Sequence, residues 1–165
     1  MTHLEARMEK DLGRIRDLVR DLAAKSEAAV QDALHALQTG DQQVAYATIL
    51  HDHPINRVMR HIDHLCHTFI AVHLPSAGPL RLLSSIIRVN IELERIGDYA
   101  VTICREAVQL SKPPSGRLAR EIERVAGGTL LMLRQSISAF NELNAEKARS
   151  TMGMGDQIEA SMDAV

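Results

Sequence analysis

The chain has 165 residues, of which 45% are apolar and only 2% aromatic, and it contains no Trp. A core of Leu, Ile, Val, Ala and Met favours helices over a β-sandwich, since strands are enriched in aromatic and β-branched residues. The 19 basic and 21 acidic residues give a net charge of −2, which offers no support for nucleic acid or an anionic membrane as the main partner.

Four segments with helical periodicity follow one another, separated by short breaks rich in Gly and Pro. They cover about residues 4–38, 42–72, 80–110 and 117–143. At 1.5 Å per residue the first three would each be roughly 45–50 Å long, and helices of that length joined by short turns run antiparallel. Pro54 should kink the second segment or mark its true start. The pattern predicts an all-α helical bundle.

The composition also predicts a compartment. The N-terminus is charged and does not resemble a signal peptide, and no apolar run of about 18 residues exists, so we expect no insertion into a membrane. Cys66 and Cys104 lie on apolar helical faces without CxxC spacing, which is typical of buried thiols in a reducing compartment. We therefore expect a cytoplasmic protein.

An internal repeat emerges when the chain is compared with itself at an offset of 103 residues. Apolar positions then coincide from Leu34 and Ile137 onward, and the turn residue Asp41 meets Asn144. The repeat predicts two units, residues 1–112 as a three-helix bundle and 113–165 as a second copy without its third helix. A helix pair with an open apolar seam favours association, so we expect a homodimer or a swapped oligomer formed through residues 117–165.

The most informative stretch is 92–103, late in the third segment. On a helix, Glu94 and Asp98 are one turn apart, and like charges at that spacing repel by a few tenths of a kcal/mol unless something neutralises them. One interpretation is a solvated polar face. The other is an oxygen-ligand metal site, because paired acids on a helix suit hard cations, iron, zinc or manganese.

A second polar group is the histidine-rich part of the second segment, where six of the eight histidines fall between His51 and His73. His64 and His67 have a spacing that can hold a metal, but Arg57 and Arg60 share their face and oppose cation binding. No nucleophile, phosphate-loop or zinc-protease motif occurs. The sequence therefore gives no support for catalysis.

The stretch 92–103 resembles the helix-three signature of the PhoU family of phosphate-signalling regulators. That signature is an acid, two spacers, Arg, two spacers, Asp, three spacers and Asn; here it reads Glu92, Arg95 and Asp98, with Thr102 in place of Asn. The resemblance implies an all-α fold of two three-helix bundles. It also implies a non-enzymatic cytoplasmic regulator that links a phosphate ABC transporter to a PhoR-type sensor kinase.

The resemblance further implies which residues act. Some members of the family carry multinuclear iron or zinc, and the matching positions are Glu94 and Asp98, with Asp52 and Asn56 of the second helix. Asn56 stands where the family has a second acid, so any site should be weaker. Residues expected to contact partners are Glu92, Arg95, Asp98 and Thr102. Two other readings stay open: a helical adaptor or coiled-coil scaffold without a phosphate role, and a ferritin-like di-metal protein.

Overall fold

The computed structural model describes residues 3–162, with side chains as far as residue 160, and these residues form six α-helices. The helices are α1 (His3–Thr39), α2 (Gln42–Leu50), α3 (Asp52–His73), α4 (Ala77–Gln109), α5 (Gly116–Glu142) and α6 (Ala145–Met162). The all-α prediction is confirmed. None of the described helices combines the length and the apolar character that crossing a lipid bilayer requires.

The second predicted segment is divided at His51, between α2 and α3. The His51 N–H closes α2 by donating to the carbonyls of Ala47 and Thr48 at 3.0 and 3.2 Å. Pro54 is the third residue of α3, where its missing N–H has no helical partner to lose. The expectation that Pro54 marks the true start of a helix is confirmed.

The turns before α2 and α6 share their geometry, 103 residues apart. Gly40 and Leu143 both adopt a left-handed backbone, with φ of 75° and 53°. The side chain of Asp41 accepts the Gln43 N–H at 2.9 Å, and that of Asn144 accepts the Lys147 N–H at 2.9 Å, so each residue caps the following helix. These features agree with the predicted offset, and the division into units 1–112 and 113–165 stays a prediction.

The core lies between α1, α3 and α4. Its largest fully buried apolar side chains are Ile15, Leu22, Ile62, Leu83 and Ile86, together with Cys66. Cys104 is buried in a second cluster between α1, α2 and α4. Buried Ser26 of α1 donates to the carbonyl of Leu93 in α4 at 2.8 Å. Buried Asn90 of α4 donates to the carbonyl of Met59 in α3 at 3.0 Å. Because unpaired buried polar groups are unfavourable, these bonds favour one register between the helices.

The α5–α6 pair is less enclosed. Helix α5 rests on α1, where Arg134 pairs with Glu27 at 2.6 Å, and among the described helices α6 packs only against α5. An open, largely apolar groove of about 720 Å³ remains between α4, α5 and α6. Its apolar lining includes Leu82, Val89, Met132, Phe140, Leu143 and Met152.

Candidate functional site

The stretch 92–103 lies in the middle of α4 and divides into a buried and an exposed face. Leu93, Gly97 and Ala100 are buried against the other helices. Glu92, Arg95, Asp98, Tyr99 and Thr102 are exposed on the opposite side, and we call these five residues the α4 outer face. The four predicted partner-binding residues thus lie on one accessible surface, as expected from the helical period.

Arg95 is the centre of the α4 outer face. Its Nη1 donates to both carboxylate oxygens of Glu92 at 3.1 Å, and its Nη2 lies 3.5 Å from the hydroxyl of Tyr99. The charge of Glu92 is the largest cause that raises the pKa of the Arg95 guanidinium. Tyr99 was not predicted as a site residue. Its spacing of four residues after Arg95 was the signal that could have identified it.

Thr102 stands where the family signature has Asn, and it uses its hydroxyl locally. The Thr102 Oγ1 donates to the carbonyl of Asp98, one turn earlier, at 3.0 Å. Such a bond holds the hydroxyl proton within the helix. Thr102 can therefore offer an approaching partner the two lone pairs of its hydroxyl oxygen and its methyl group, but no amide.

The residues predicted to bind a metal lie at the edge between α4 and α3. They are Glu94 and Asp98 of α4 and Asp52 and Asn56 of α3. Burial is the largest cause that raises the pKa of Glu94, followed by the negative charges of Asp98 and Asp52. Arg60 and Arg95 act in the opposite direction. The structure therefore brings Asp52 and Asp98 within electrostatic reach of Glu94, and Arg60 of α3 partly compensates the charge of Glu94.

Asp52 and Asn56 interact with each other inside α3. The amide of Asn56 donates to Asp52 Oδ2 at 2.7 Å, while Asp52 Oδ1 is buried and has no hydrogen-bond partner in the described part of the chain. A cation could satisfy that oxygen. However, across residues 3–160 no three His, Cys, Asp or Glu side chains are arranged to hold a metal ion. The residues do not fit a cluster of several metals, and iron or zinc at Glu94, Asp98, Asp52 and Asn56 stays a prediction.

The histidines of α3 differ in their exposure to solvent and do not form one cluster with His73. His53, His61, His64 and His67 are exposed, and His67 Nδ1 lies 2.8 Å from the carbonyl oxygen of Asp63. His73 is buried instead, with its Nε2 2.9 Å from a carboxylate oxygen of Asp11 in α1. No local sequence pattern predicts that contact, because the two residues are 62 positions apart.

Comparison with known proteins agrees with this description. The sequence pattern of the PhoU domain matches residues 19–107 of the chain. The phosphate-specific transport system accessory protein PhoU of Serratia marcescens is 32% identical over 146 residues, which are 88% of this chain and 60% of that protein. The protein of the same name from Escherichia coli K12 is 31% identical over 88% of this chain and 61% of its own length. The chain thus spans about 60% of the length of these curated relatives.

Solved structures show the same likeness in three dimensions. The crystal structure of PhoU from Pseudomonas aeruginosa matches with a TM-score of 0.89 and 29% identity, covering 94% of this chain and 75% of that one. The phosphate transport system regulatory protein PhoU from Streptococcus pneumoniae matches with a TM-score of 0.88 and 27% identity, covering 95% and 74%. The predicted resemblance is confirmed, and the chain belongs to the PhoU family.

Proposed function

We propose that the chain is a cytoplasmic, non-enzymatic accessory regulator of phosphate uptake that also restrains phosphate-starvation signalling. The observation that carries the proposal is the PhoU-domain match over residues 19–107, which contains the whole α4 outer face. Relatives in two bacteria are named as accessory proteins of the phosphate-specific transport system. The proposed partners are a phosphate ABC transporter and a PhoR-type sensor kinase.

The α4 outer face is the proposed contact surface for these partners. Both carboxylate oxygens of Glu92 accept from the same Arg95 nitrogen, Nη1, so the arginine is oriented before a partner arrives and less side-chain entropy is lost on binding. Asp98 and Thr102 extend the same surface by one further turn. A partner carboxylate facing Arg95, or a partner cation facing Asp98, would complement this arrangement.

A signalling assay tests the proposal in cells. The chain is expressed in a bacterium that lacks its own PhoU and carries a reporter driven by phosphate starvation. We expect repression at high phosphate, weakened when Glu94 and Asp98 are both replaced by Ala. Replacing Arg105, an exposed arginine further along α4, provides the matched control. If the Glu94→Ala/Asp98→Ala variant accumulates to the same amount as the wild type and still represses the reporter fully, these carboxylates only face solvent.

Metal binding is a separate part of the proposal. The described side chains are not arranged around one ion, so the proposal requires Glu94, Asp98 and Asp52 to turn their carboxylates towards it. Asn56 would add an amide oxygen, and bound iron or zinc would neutralise the repulsion between the acids. The buried, unpartnered Asp52 Oδ1 supports this assignment. Metal analysis of protein purified without chelator tests it: we expect bound metal that is lost in Glu94→Gln/Asp98→Asn. Metal content equal in both proteins would contradict the assignment.

The last part of the proposal is that the chain self-associates through residues 117–165. Leu118, Leu131 and Met152 are exposed on α5 and α6, and the apolar groove beside them is open. Thr129 of α5 corresponds to Ser26 of α1 at the offset of 103 residues. Both bond to a carbonyl one turn earlier, but Ser26 is buried by α4 while Thr129 is exposed. A homodimer or swapped oligomer would cover this face, and a strictly monomeric protein at micromolar concentration in sedimentation would contradict it.

A further inference from the structure

A basic surface on the outside of α3 is separate from the α4 outer face. Arg57 and Arg60 lie on it with four exposed histidines, His53, His61, His64 and His67. The buried residues of the helix, Ile55, Ile62, Cys66 and Phe69, point the other way. We call these six basic residues the α3 basic face. At 1.5 Å per residue it extends for roughly 21 Å.

Two further arginines border this face on α1. Arg7 and Arg14 line a cleft of about 200 Å³ together with Thr68 and Val72 of α3. Asp11 also lines this cleft, where its carboxylate contacts His73. Along the same side of the helix, His61 follows Arg57 by four residues and Thr68 follows His61 by seven. The cleft therefore continues the α3 basic face towards the N-terminal half of α1.

Three of the four arginines of this surface are not neutralised by the described residues. Elsewhere Arg20 pairs with Asp17, Arg95 with Glu92 and Arg124 with Glu121. By contrast, Arg7, Arg14 and Arg57 form no ion pair or hydrogen bond within residues 3–160, while Arg60 partly compensates Glu94 of α4. Two acids beside the surface are already engaged, because Asp11 contacts His73 and Asp63 contacts His67. This side of the protein is basic although the whole chain has a net charge of −2.

We propose that the α3 basic face and the Arg7/Arg14 cleft together bind an acidic segment of a partner protein. Planar guanidinium groups match carboxylates in two-point contacts, and the roughly 21 Å of helix would accommodate about six or seven residues of an extended segment. An anionic lipid surface fits less well. Clusters that bind anionic lipid typically contain about four to eight Lys or Arg residues, and the four permanent positive charges here are at the lower end of that range. This binding surface is a second one, additional to the partner contact proposed for the α4 outer face.

Fluorescence polarisation tests the proposal with the whole chain. The probe is a labelled glutamate-rich peptide of about ten residues (roughly 33 Å when extended), and the matched control peptide carries Gln in place of Glu. We expect binding of the Glu peptide, weakening with added salt, and at least about tenfold weaker binding by Arg14→Glu/Arg57→Glu because two attractions become repulsions. Arg105→Glu/Arg120→Glu makes the same charge change on exposed residues of α4 and α5. That control should bind within about twofold of wild type.

Several results would overturn the proposal. Equal binding by the two charge-reversal variants, or equal binding of the Glu and Gln peptides, would show that the surface has no specific role. Binding to phosphatidylserine vesicles without binding to the peptide would assign the surface to a membrane instead. Circular dichroism confirms that each variant is folded, and Arg95→Ala on the α4 outer face should leave peptide binding unchanged. A failure here is thereby distinguished from a failure of the proposed α4 contact.

Discussion

Gly97 of α4 lies directly against Ile55 of α3. A Cβ atom placed on Gly97 would be 3.2 Å from Ile55 Cδ1 and 3.4 Å from Ile55 Cγ2. The missing side chain therefore lets the two helices approach closely at the level of the site. Because Asp52 lies one turn before Ile55, this approach also places Asp52 within electrostatic reach of Glu94.

Replacing Gly97 tests how closely the helices must pack. We expect Gly97→Val to lower the free energy of unfolding by about 1–3 kcal/mol, since the added methyl groups overlap with buried Ile55. Gly97→Ala should change stability less, because a gain of about 1 kcal/mol in helix propensity offsets the tighter contact. Urea unfolding followed by circular dichroism measures both. Wild-type stability in Gly97→Val would contradict the close approach.

Ser26 offers a second stability test with an internal control. Ser26→Ala removes the buried bond to the Leu93 carbonyl and should lower the free energy of unfolding by about 1 kcal/mol. The corresponding change at exposed Thr129, whose hydroxyl bonds only to its own helix, should have an effect within about 0.5 kcal/mol. Similar losses for the two variants would show that the bond between α1 and α4 adds nothing.

Glu94 should make stability depend on pH. Burial, Asp98 and Asp52 raise its pKa in the folded protein, so folding favours the protonated carboxyl. Stability is therefore lost as pH rises from the unfolded pKa, and the full penalty is present above the folded pKa. In the presence of chelator, Glu94→Gln should be more stable than wild type at pH 7 by a few tenths of a kcal/mol. This difference should disappear as pH falls below the ordinary glutamate value of 4.5. Thermal unfolding at pH 7 and below pH 4.5 measures this difference in stability. Glu123→Gln, a change at an exposed glutamate, is the control. A stability gain that persists at low pH would contradict this cause.

Both cysteines should react slowly with thiol reagents. Burial, and then the charge of Asp63, raises the pKa of the Cys66 thiol to about 11, and burial also raises the pKa of Cys104. Because the thiolate is the reactive form, we expect little modification by a disulfide reagent at pH 8 until denaturant exposes both groups. Rapid labelling of the native protein would show that this part of the core opens readily.

Local signals in the sequence predicted much of the fold. Gly40, Asp41 and Pro54 act on the backbone within a few residues of themselves, so their effects on helix ends were visible in the sequence. The apolar period likewise predicted the burial of Cys66 and Cys104, which is confirmed.

Contacts between side chains were less predictable. Arg95 is next to Glu94 in the sequence, yet its hydrogen bonds go to Glu92 and Tyr99. The amide of Asn56 turns towards Asp52, and His73 meets Asp11 across the bundle. These hydrogen-bond partners depend on side-chain rotamers and on the packing of helices that are distant in sequence. A helical period specifies neither of them.

Direct binding to the transporter is the measurement closest to the central claim, that the α4 outer face contacts a partner of the phosphate system. Isothermal titration of the purified chain into a purified phosphate ABC transporter should show binding. Replacing Arg95 and Asp98 together by Ala should weaken it at least about tenfold, as expected for oriented charged residues at an interface. Replacing Arg105 should leave the affinity unchanged. Equal affinity for the wild type and the Arg95→Ala/Asp98→Ala variant would contradict the claim.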